Sequence, residues 1–187
     1  GQFEKETLIL AAKSAGMFIR KAAFDLIGCF DGDYFMFVEE TDLGWRVWLK
    51  GFKCVYLPTS IVYHEFGTSL VLLSAFENQY NSKFHGCKNY IMTLIKNLEV
   101  KSMFFMLPVH VFLWMGLGIY SLVKGHFDSF KFIYMGVLWN IVNLGKTLAK
   151  RKKIQDGRKI SDDDLFKMVL KVKPLSYFLD KVLVPHK

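Results

Sequence analysis

The chain has 187 residues, of which 52% are hydrophobic and 16% aromatic, and its formal charge is +8. A mean hydropathy of +0.22 excludes a simple soluble domain, because part of such a surface has to meet lipid or a partner. The charge suits nucleic acid, anionic lipid or phosphate-bearing substrates, and charge alone does not choose among them.

The cysteines and the first residues bear on the compartment. Cys29, Cys54 and Cys87 are widely spaced and form no CxxC pair, which indicates free thiols in a reducing compartment rather than zinc or redox chemistry. The first six residues contain no Met, basic region or apolar run. We therefore expect no signal peptide to begin here, and we expect the chain to be trimmed from something longer.

The first part of the chain alternates between strand and helix patterns. A mixed apolar run at residues 15–19 predicts a buried strand, and Lys21–Ile27 has the spacing of a short helix that Gly28 ends. After a turn at Asp31-Gly32-Asp33, the aromatic run at residues 34–38 predicts a second strand.

A second helix and two extended segments follow. The helix has an acidic start, which complements the positive end of its macrodipole, and it ends at Lys50-Gly51. Residues 52–57 and 60–63 are expected to be extended and separated by Pro58. The alternation predicts an α/β domain, with too few strands for a complete doubly wound sheet.

From residue 70 onward the pattern is helical. Residues 102–123 contain no Asp, Glu, Lys or Arg and one histidine, His110, and the run is long enough to span a hydrocarbon core of roughly 30 Å. A shorter uncharged run at residues 132–145 is typical of re-entrant or interfacial helices. Asp162-Asp163-Asp164 follows Ser161 as an expected helix cap.

The basic cluster at residues 150–153 lies behind these hydrophobic runs. Since basic residues favour the cytoplasmic side, we expect a hairpin or an in-plane pair of helices with this cluster on anionic headgroups. The alternative is that the helices pack on each other or on another domain. The basic residues do not interleave with exposed aromatics on a polar face, so nucleic acid is not the expected partner.

Several short motifs follow one another between residues 15 and 97. They are Ala15-Gly16-Met17-Phe18-Ile19-Arg20, Ile27-Gly28-Cys29-Phe30-Asp31, Phe35-Met36, Glu39-Glu40-Thr41-Asp42-Leu43, Trp45-Arg46, Gly51-Phe52, Val55-Tyr56, His64 with Gly67 and Ser69, and Lys88-Asn89. This series, which covers nearly half of the chain, resembles the C-terminal part of family 2 glycosyltransferases, the rhamnosyltransferase-like inverting enzymes with a GT-A fold.

The resemblance implies that Glu40 is the catalytic base, at a position where the family usually has an aspartate. A carboxylate can accept the proton that the acceptor's hydroxyl group loses as it attacks the anomeric carbon. Glu39 or Asp42 could share this task, and neighbours of like charge would raise the basicity of the group.

The resemblance also implies that His64 is a metal or diphosphate ligand. The expected metal is Mg²⁺ or Mn²⁺, bound jointly with the nucleotide-binding half that the family has before this segment. Gly16, Trp45 and Arg46 are the expected acceptor-binding residues. Trp45 would stack on a sugar ring or fill the core, and Arg46 would pair with Asp42 across the helix face or orient Glu40.

These observations divide the chain into three expected parts. Residues 1–97 would form the acceptor-side half of a GT-A catalytic domain without its nucleotide-binding half. Residues 98–147 would form membrane-associated helices, and residues 148–187 a basic tail with short helices. The predicted fold class is thus α/β, the C-terminal part of a GT-A fold followed by hydrophobic membrane-associated helices.

The leading functional hypothesis is a fragment of an inverting glycosyltransferase. It would transfer a sugar from a nucleotide-sugar donor to a glycan or lipid-linked acceptor at the cytoplasmic face of the cell membrane, and it would be inactive alone. The alternative is a non-catalytic membrane-anchoring or assembly module, in which the acidic cluster only caps a helix. Metal-dependent hydrolysis is less favoured because no ligand motif such as HExxH is present.

Overall fold

A computed structural model describes residues 4–64 and 82–170, and these residues are 65% helix and 3% strand. The helices, named in chain order, are α1 (Lys21–Ile27), α2 (Glu39–Leu49), α3 (Ser82–Asn97), α4 (Val100–Val123), α5 (Phe127–Val142), α6 (Leu144–Gln155) and α7 (Asp162–Val169). Two-residue strands, β1 (Thr7–Leu8) and β2 (Val55–Tyr56), pair antiparallel, with Thr7 opposite Tyr56.

The predicted α/β class with a partial GT-A fold is wrong. The run at residues 15–19 begins in a 3-10 turn, Ser14–Gly16, and it has no ladder partner in the described parts of the chain. The predicted strand at residues 34–38 is a tight turn, and of the two extended segments after α2 only Val55–Tyr56 is paired. A strand pattern needs a neighbouring strand to become a sheet, and β1 supplies one for two residues only.

The predictions that depend on local rules are confirmed. Helix α1 occupies the expected residues and ends at Gly28, whose φ of 80° suits a residue without a Cβ atom. Helix α2 has the expected acidic first turn and is followed by Lys50. Helix α7 begins after Ser161, whose hydroxyl oxygen accepts a hydrogen bond from the Asp164 backbone N–H.

Helices α3, α4 and α5 all pack against one another around a shared apolar cluster. Its buried members are Cys87, Ile91 and Ile95 of α3 and Ile133 of α5, and Leu107, Val111 and Trp114 of α4 pack against them. At Gly136 the backbones of α5 and α3 approach closely, because a Cβ atom there would lie 3.0 Å from the Phe84 carbonyl oxygen. The predicted helical run at residues 70–81 lies outside the described residues.

A second cluster ties this layer to the N-terminal part of the chain. Trp45, Trp48 and Leu49 of α2 pack with Leu94 and Leu98 at the end of α3, and Leu165 of α7 closes the cluster. Burying side chains of this size contributes about 1.5–3 kcal/mol each to folding. The cluster joins residues on both sides of position 97, where the sequence suggested a boundary between parts.

The basic helix α6 is attached to the same end of α3 by polar contacts. The buried guanidinium of Arg151 donates hydrogen bonds of 2.6 Å to the carbonyl oxygens of Ile95 and Leu98. These are among the last carbonyls of α3, which have no partner within the helix. Lys150 contacts Asp33 at 2.6 Å and also Asp31. Lys150 and Arg151 therefore bind protein groups, which corrects the expectation that they meet headgroups.

The most buried polar contacts join α2 to α3 through Asp42, which is fully buried. Its carboxylate contacts Lys96 Nζ, Asn97 Nδ2 and Arg46 Nε, each at 2.9 Å. Burial raises the pKa of Asp42, but the charges of Lys96 and Arg46 outweigh this effect, so the pKa lies below its ordinary value. Asp42 is thus an ionised group held by two cations and an amide.

Replacing Asp42 tests this contact. Asp42→Asn leaves the buried Arg46 without its anion and leaves Lys96 with Asp31 alone, so we expect the free energy of unfolding to fall by about 3–5 kcal/mol. Asp25→Asn is the matched control, since Asp25 also pairs with a basic residue four positions away, Lys21, but both side chains are exposed. The control should cost at most about 1 kcal/mol. Urea unfolding measures both, and equal losses would contradict the assignment.

Candidate functional site

The start of α2 carries the three carboxylates that the sequence predicts as catalytic. The residue before the helix, Val38, has φ 68° and ψ −5°, and Phe35 and Phe37 also have positive φ values. This left-handed conformation is rare and costly for a β-branched residue such as Val38. Strain of this kind persists only where the surroundings enforce it, and it is concentrated at functional sites.

One side chain holds this 34–38 turn in place. Asn89 of α3 is fully buried, and its Nδ2 donates to the carbonyl oxygens of Tyr34 at 2.9 Å, Met36 at 2.6 Å and Phe37 at 2.8 Å. These carbonyls would point to a neighbouring strand if the segment were in a sheet. The amide of Asn89 takes the place of that strand and fixes the entry into α2.

Glu40 lies at this entry and is only 7% exposed. Its Oε1 accepts a hydrogen bond of 3.0 Å from Lys13 Nζ, while its Oε2 is buried and has no hydrogen-bond partner within the described parts of the chain. A buried carboxylate oxygen without a partner is unusual, because leaving it so costs free energy. Oε2 is therefore the carboxylate oxygen of Glu40 that no described residue bonds.

Glu39 lies beside Glu40 and has a different environment. Burial raises the pKa of Glu39, and the nearby charge of Glu40 raises it further, against the lowering effects of a hydrogen bond from its own backbone N–H and of the charge of Lys13. Its Oε2 is also buried without a hydrogen-bond partner among the described residues. Glu39 and Glu40 are thus two adjacent acids that each have one oxygen without a hydrogen-bond partner among the described residues. Both oxygens of Asp42, in contrast, form ion pairs.

Arg46 and Trp45 have structural contacts. The guanidinium of Arg46 bonds Asp42 and donates to the carbonyl oxygens of Ile27 at 2.8 Å, Gly28 at 3.2 Å and Cys29 at 3.0 Å. It thereby caps the end of α1. The ring of Trp45 is 4% exposed and packs edge-on against Phe166 at 5.9 Å, so it fills the core.

Gly16 and the segment that leads to His64 lie together. A Cβ atom at Gly16 would be 3.2 Å from Cγ2 of Val62, which shows that residues near 62 pass over the 3-10 turn. Lys13, at the start of the same turn, reaches Glu40. The turn therefore contacts both Glu40, the predicted base, and the segment just before His64. His64 itself is exposed.

Within residues 4–64 and 82–170 no three His, Cys, Asp or Glu side chains are grouped so that they could hold a metal ion. The Asp31-Gly32-Asp33 turn is also unsuited to a metal, since Lys96, Lys146 and Lys150 pair with its two carboxylates. These residues do not by themselves fit Mg²⁺ or Mn²⁺. The expected joint binding with further ligands at His64 stays a prediction.

A cavity of about 310 Å³ lies near α2 but away from the acids. It is lined by Leu43, Gly44 and Val47 of α2 and by parts of α1 and β2, with Arg20 and Lys53 as its charged residues. Its lining contains no carboxylate and does not include Glu40 or His64. It is therefore not the place where a hydroxyl group would be deprotonated.

Sequence reasoning missed the roles of three residues that shape the site. Lys13 bonds Glu40, Lys96 bonds Asp42, and Asn89 bonds the 34–38 turn. The Lys88-Asn89 pair was part of the motif series, but nothing in the sequence gave it a role. Asn89 and Lys96 lie more than fifty positions from the groups that they bind. No local spacing rule connects residues so far apart.

A 48-residue segment of the chain is 42% identical to N-acetylglucosaminyl-diphospho-decaprenol L-rhamnosyltransferase of Mycobacterium tuberculosis, in both strain CDC 1551 / Oshkosh and strain H37Rv. The segment makes up 26% of this chain and 16% of each relative, so the match spans about one sixth of the length of those relatives. No family model matches the chain. No solved structure matches it. The chain is thus similar, over a short stretch, to a glycosyltransferase.

Truncating Asn89 tests whether its amide holds the entry into α2. Asn89→Ala removes an amide whose two N–H groups are shared among three carbonyl oxygens, a loss of about 2 kcal/mol at about 1 kcal/mol for each N–H, so backbone amides of residues 34–40 should exchange with deuterium at least about tenfold faster. The control is Asn143→Ala, since Asn143 Nδ2 bonds only Trp139 of its own helix turn, at 2.9 Å. Mass spectrometry of the peptide that covers the turn measures the rates, and equal rates in both variants would refute the role.

Proposed function

We propose that this chain supplies the acceptor-activating part of an inverting glycosyltransferase, with Glu40 as the base. The donor is a nucleoside-diphosphate sugar, and the acceptor is a glycan or a lipid-linked sugar. The observation that carries the proposal is the state of the Glu40 carboxylate, which is buried, is bonded to Lys13 through one oxygen and has no hydrogen-bond partner at the other among the described residues. The partial similarity to a rhamnosyltransferase supports the same reaction class.

The proposed step is a single displacement. The acceptor oxygen forms a bond to the anomeric carbon of the donor, and the bond from that carbon to the diphosphate oxygen breaks. The electron pair of the broken bond leaves with the nucleoside diphosphate, and the hydroxyl proton passes to Glu40 Oε2. General-base assistance of this kind contributes roughly 10²–10⁴-fold to a rate.

The surroundings of Glu40 suit a positioned base. Lys13 holds one oxygen in place, and the strained 34–38 turn fixes the backbone from which the side chain projects. Glu39 is the second acid of the pair, and its raised pKa means that it retains a proton to higher pH than an ordinary glutamate. Glu39 can therefore share the proton with Glu40, whereas Asp42 is committed to Lys96, Arg46 and Asn97.

The proposal places this reaction at the cytoplasmic face of a membrane. The exposed apolar side chains of α4 and α5 and the net positive charge support contact with lipid. The relative's name includes a diphospho-decaprenol, a lipid carrier, which supports a lipid-linked acceptor. Mg²⁺ or Mn²⁺ held jointly by His64 and ligands outside the described residues remains part of the proposal, and no step is assigned to it.

A non-catalytic membrane-anchoring module is the second candidate. It is favoured by the structural use of Asp31, Asp33 and Asp42, which all pair with basic residues. The two candidates differ in whether a donor is bound and turned over. Calorimetry with a panel of nucleoside-diphosphate sugars, on the protein expressed from its complete gene, separates them.

Removing the proposed base tests the reaction. In the protein expressed from its complete gene, Glu40→Gln should lower kcat by at least about 10²-fold, because the amide cannot accept the proton. Donor affinity should stay nearly unchanged, since Glu40 acts on the acceptor. Asp25→Asn, at an exposed carboxylate of α1, should leave both values unchanged. Release of nucleoside diphosphate measures turnover. Full activity of Glu40→Gln would remove Glu40 from this role, and no donor binding by the wild type would favour the anchoring module.

A further inference from the structure

The sides of α4 and α5 that face away from α3 are apolar and exposed. We call this surface the outward apolar face, and it is represented by Phe105, Val109, Phe112 and Ile119 of α4 and by Leu138 and Val142 of α5. Between Lys101 and Lys124, α4 has no acidic residue, lysine or arginine. Exposed aromatic and aliphatic side chains of this extent mark an interaction surface.

The two helices present this face to the same side of the molecule. Both contribute to the cluster around Ile133 that they share with α3, so the opposite sides of α4 and α5 both point away from α3. Along α4 the inward positions, such as Val111 and Trp114, alternate with outward ones at helical spacing. The outward apolar face is therefore a continuous surface formed by a hairpin.

Among the described residues, α4 is the one helix that is long and apolar enough to cross a membrane, and very little of it is buried inside the protein. A membrane-spanning position of α4 is nevertheless disfavoured by the polar and charged groups on the helices that pack against it. Near the C-terminal end of α5, Asn140 donates to the Lys88 carbonyl oxygen at 3.0 Å, and Lys88 Nζ donates to the Asp33 carbonyl oxygen. Asp33 in turn pairs with the half-exposed Lys146.

A hydrocarbon slab of about 30 Å placed around α4 would extend over α5 and α3 at the same level. It would bring the exposed Lys146–Asp33 pair into lipid, where charged groups are strongly disfavoured. Contact through the outward apolar face alone avoids this, because Asp33 contacts Lys88 of α3 and Lys146 and Lys150 of α6, none of which belongs to that face.

The edges of the hairpin suit anionic headgroups. Lys101 precedes the apolar stretch of α4, Lys124 follows it, and Lys131 lies near the start of α5, all three exposed. Asp128 is the one exposed carboxylate between Lys124 and Lys131. An apolar aromatic face bordered by lysines is the pattern of helices that lie in a membrane interface.

We propose that α4 and α5 lie parallel to the membrane plane, with the outward apolar face inserted in one leaflet that contains anionic lipid. The hairpin does not cross the bilayer, and its tip at Gly125 stays on the side from which the protein binds. This inference rests on the membrane association proposed above and is independent of the role of Glu40.

Depth measurements along α4 distinguish the two arrangements. Phe105, Phe112 and Ile119 are spaced by seven residues on the outward apolar face, and the first and last are about 21 Å apart along the helix axis. Phe105→Cys, Phe112→Cys and Ile119→Cys would each carry a fluorophore, in the full chain with Cys29→Ser. Cys87 is buried and Cys54 is half-buried, and burial raises the pKa of these thiols to about 12 and about 11, which slows their labelling at neutral pH. The Cys29→Ser chain without a new cysteine measures the labelling that remains.

The labelled proteins are mixed with vesicles of phosphatidylcholine that contain phosphatidylglycerol, and lipids with quenchers at known acyl positions report depth. The in-plane arrangement predicts the same shallow depth at all three positions. A depth that changes by most of the helix length between Phe105 and Ile119, or a label near Gly125 that is reached from the vesicle lumen, would overturn it. Labels already shielded without lipid in a dimeric protein would assign the face to a second copy and overturn it too.

Matched substitutions test whether the face itself carries the binding. Phe112→Glu should reduce vesicle binding by at least about tenfold, since it places a charge among the acyl chains. Phe18→Glu changes a more exposed phenylalanine outside the hairpin and should have little effect. Equal losses would contradict the inference. Glu40→Gln should bind vesicles as the wild type does, so a failure of vesicle binding and a failure of catalysis can be told apart.

Discussion

The contact on which the rest of this structure depends is the burial of the Asp42 carboxylate between Lys96 and Arg46. Asp42 and Arg46 belong to α2, Lys96 belongs to α3, and Arg46 also caps α1. Two helices from the first part of the chain and a third that begins more than thirty residues later are thereby fixed around one ionised group. Since a buried charge without its partners is strongly unfavourable, the contact strongly favours this one relative placement of the three helices.

This placement determines what the neighbouring acids can do. Because Asp42 is held by α3, the first turn of α2 is held as well, and Asn89 of α3 fixes the strained turn before it. Glu39 and Glu40 then project from a rigid support with oxygens that no described residue satisfies. The three carboxylates at positions 39–42 thus have two different roles, since Asp42 is a structural ion-pair partner and Glu39 and Glu40 each have an oxygen without a partner among the described residues. The difference comes from the neighbouring residues, because all three side chains carry the same chemical group. The proposal that Glu40 is the base depends on this separation.

The sequence predicts the parts of the fold that follow from neighbouring residues. The limits of α1, the acidic start of α2 and the Ser161 cap follow from short-range rules of spacing, capping and dipole, and all are observed. The pairing of Arg46 with Asp42 is also predictable, because residues four apart on a helix face each other. The strands at residues 15–19 and 34–38 were wrong because a strand depends on a partner that its own sequence does not specify.

Long-range polar contacts account for most of what the sequence could not show. Lys150 and Arg151 look like part of a basic surface cluster, yet they bind the 31–33 turn and the end of α3. Asn89 and Lys96 are unremarkable in the sequence and become important only through folding.

The central claim, that Asp42 is an ionised link between α2 and α3, is tested most directly by a double-mutant cycle of Asp42→Asn and Lys96→Met in urea unfolding. A coupling free energy of about 0.5–3 kcal/mol is predicted, and strictly additive losses would contradict the account.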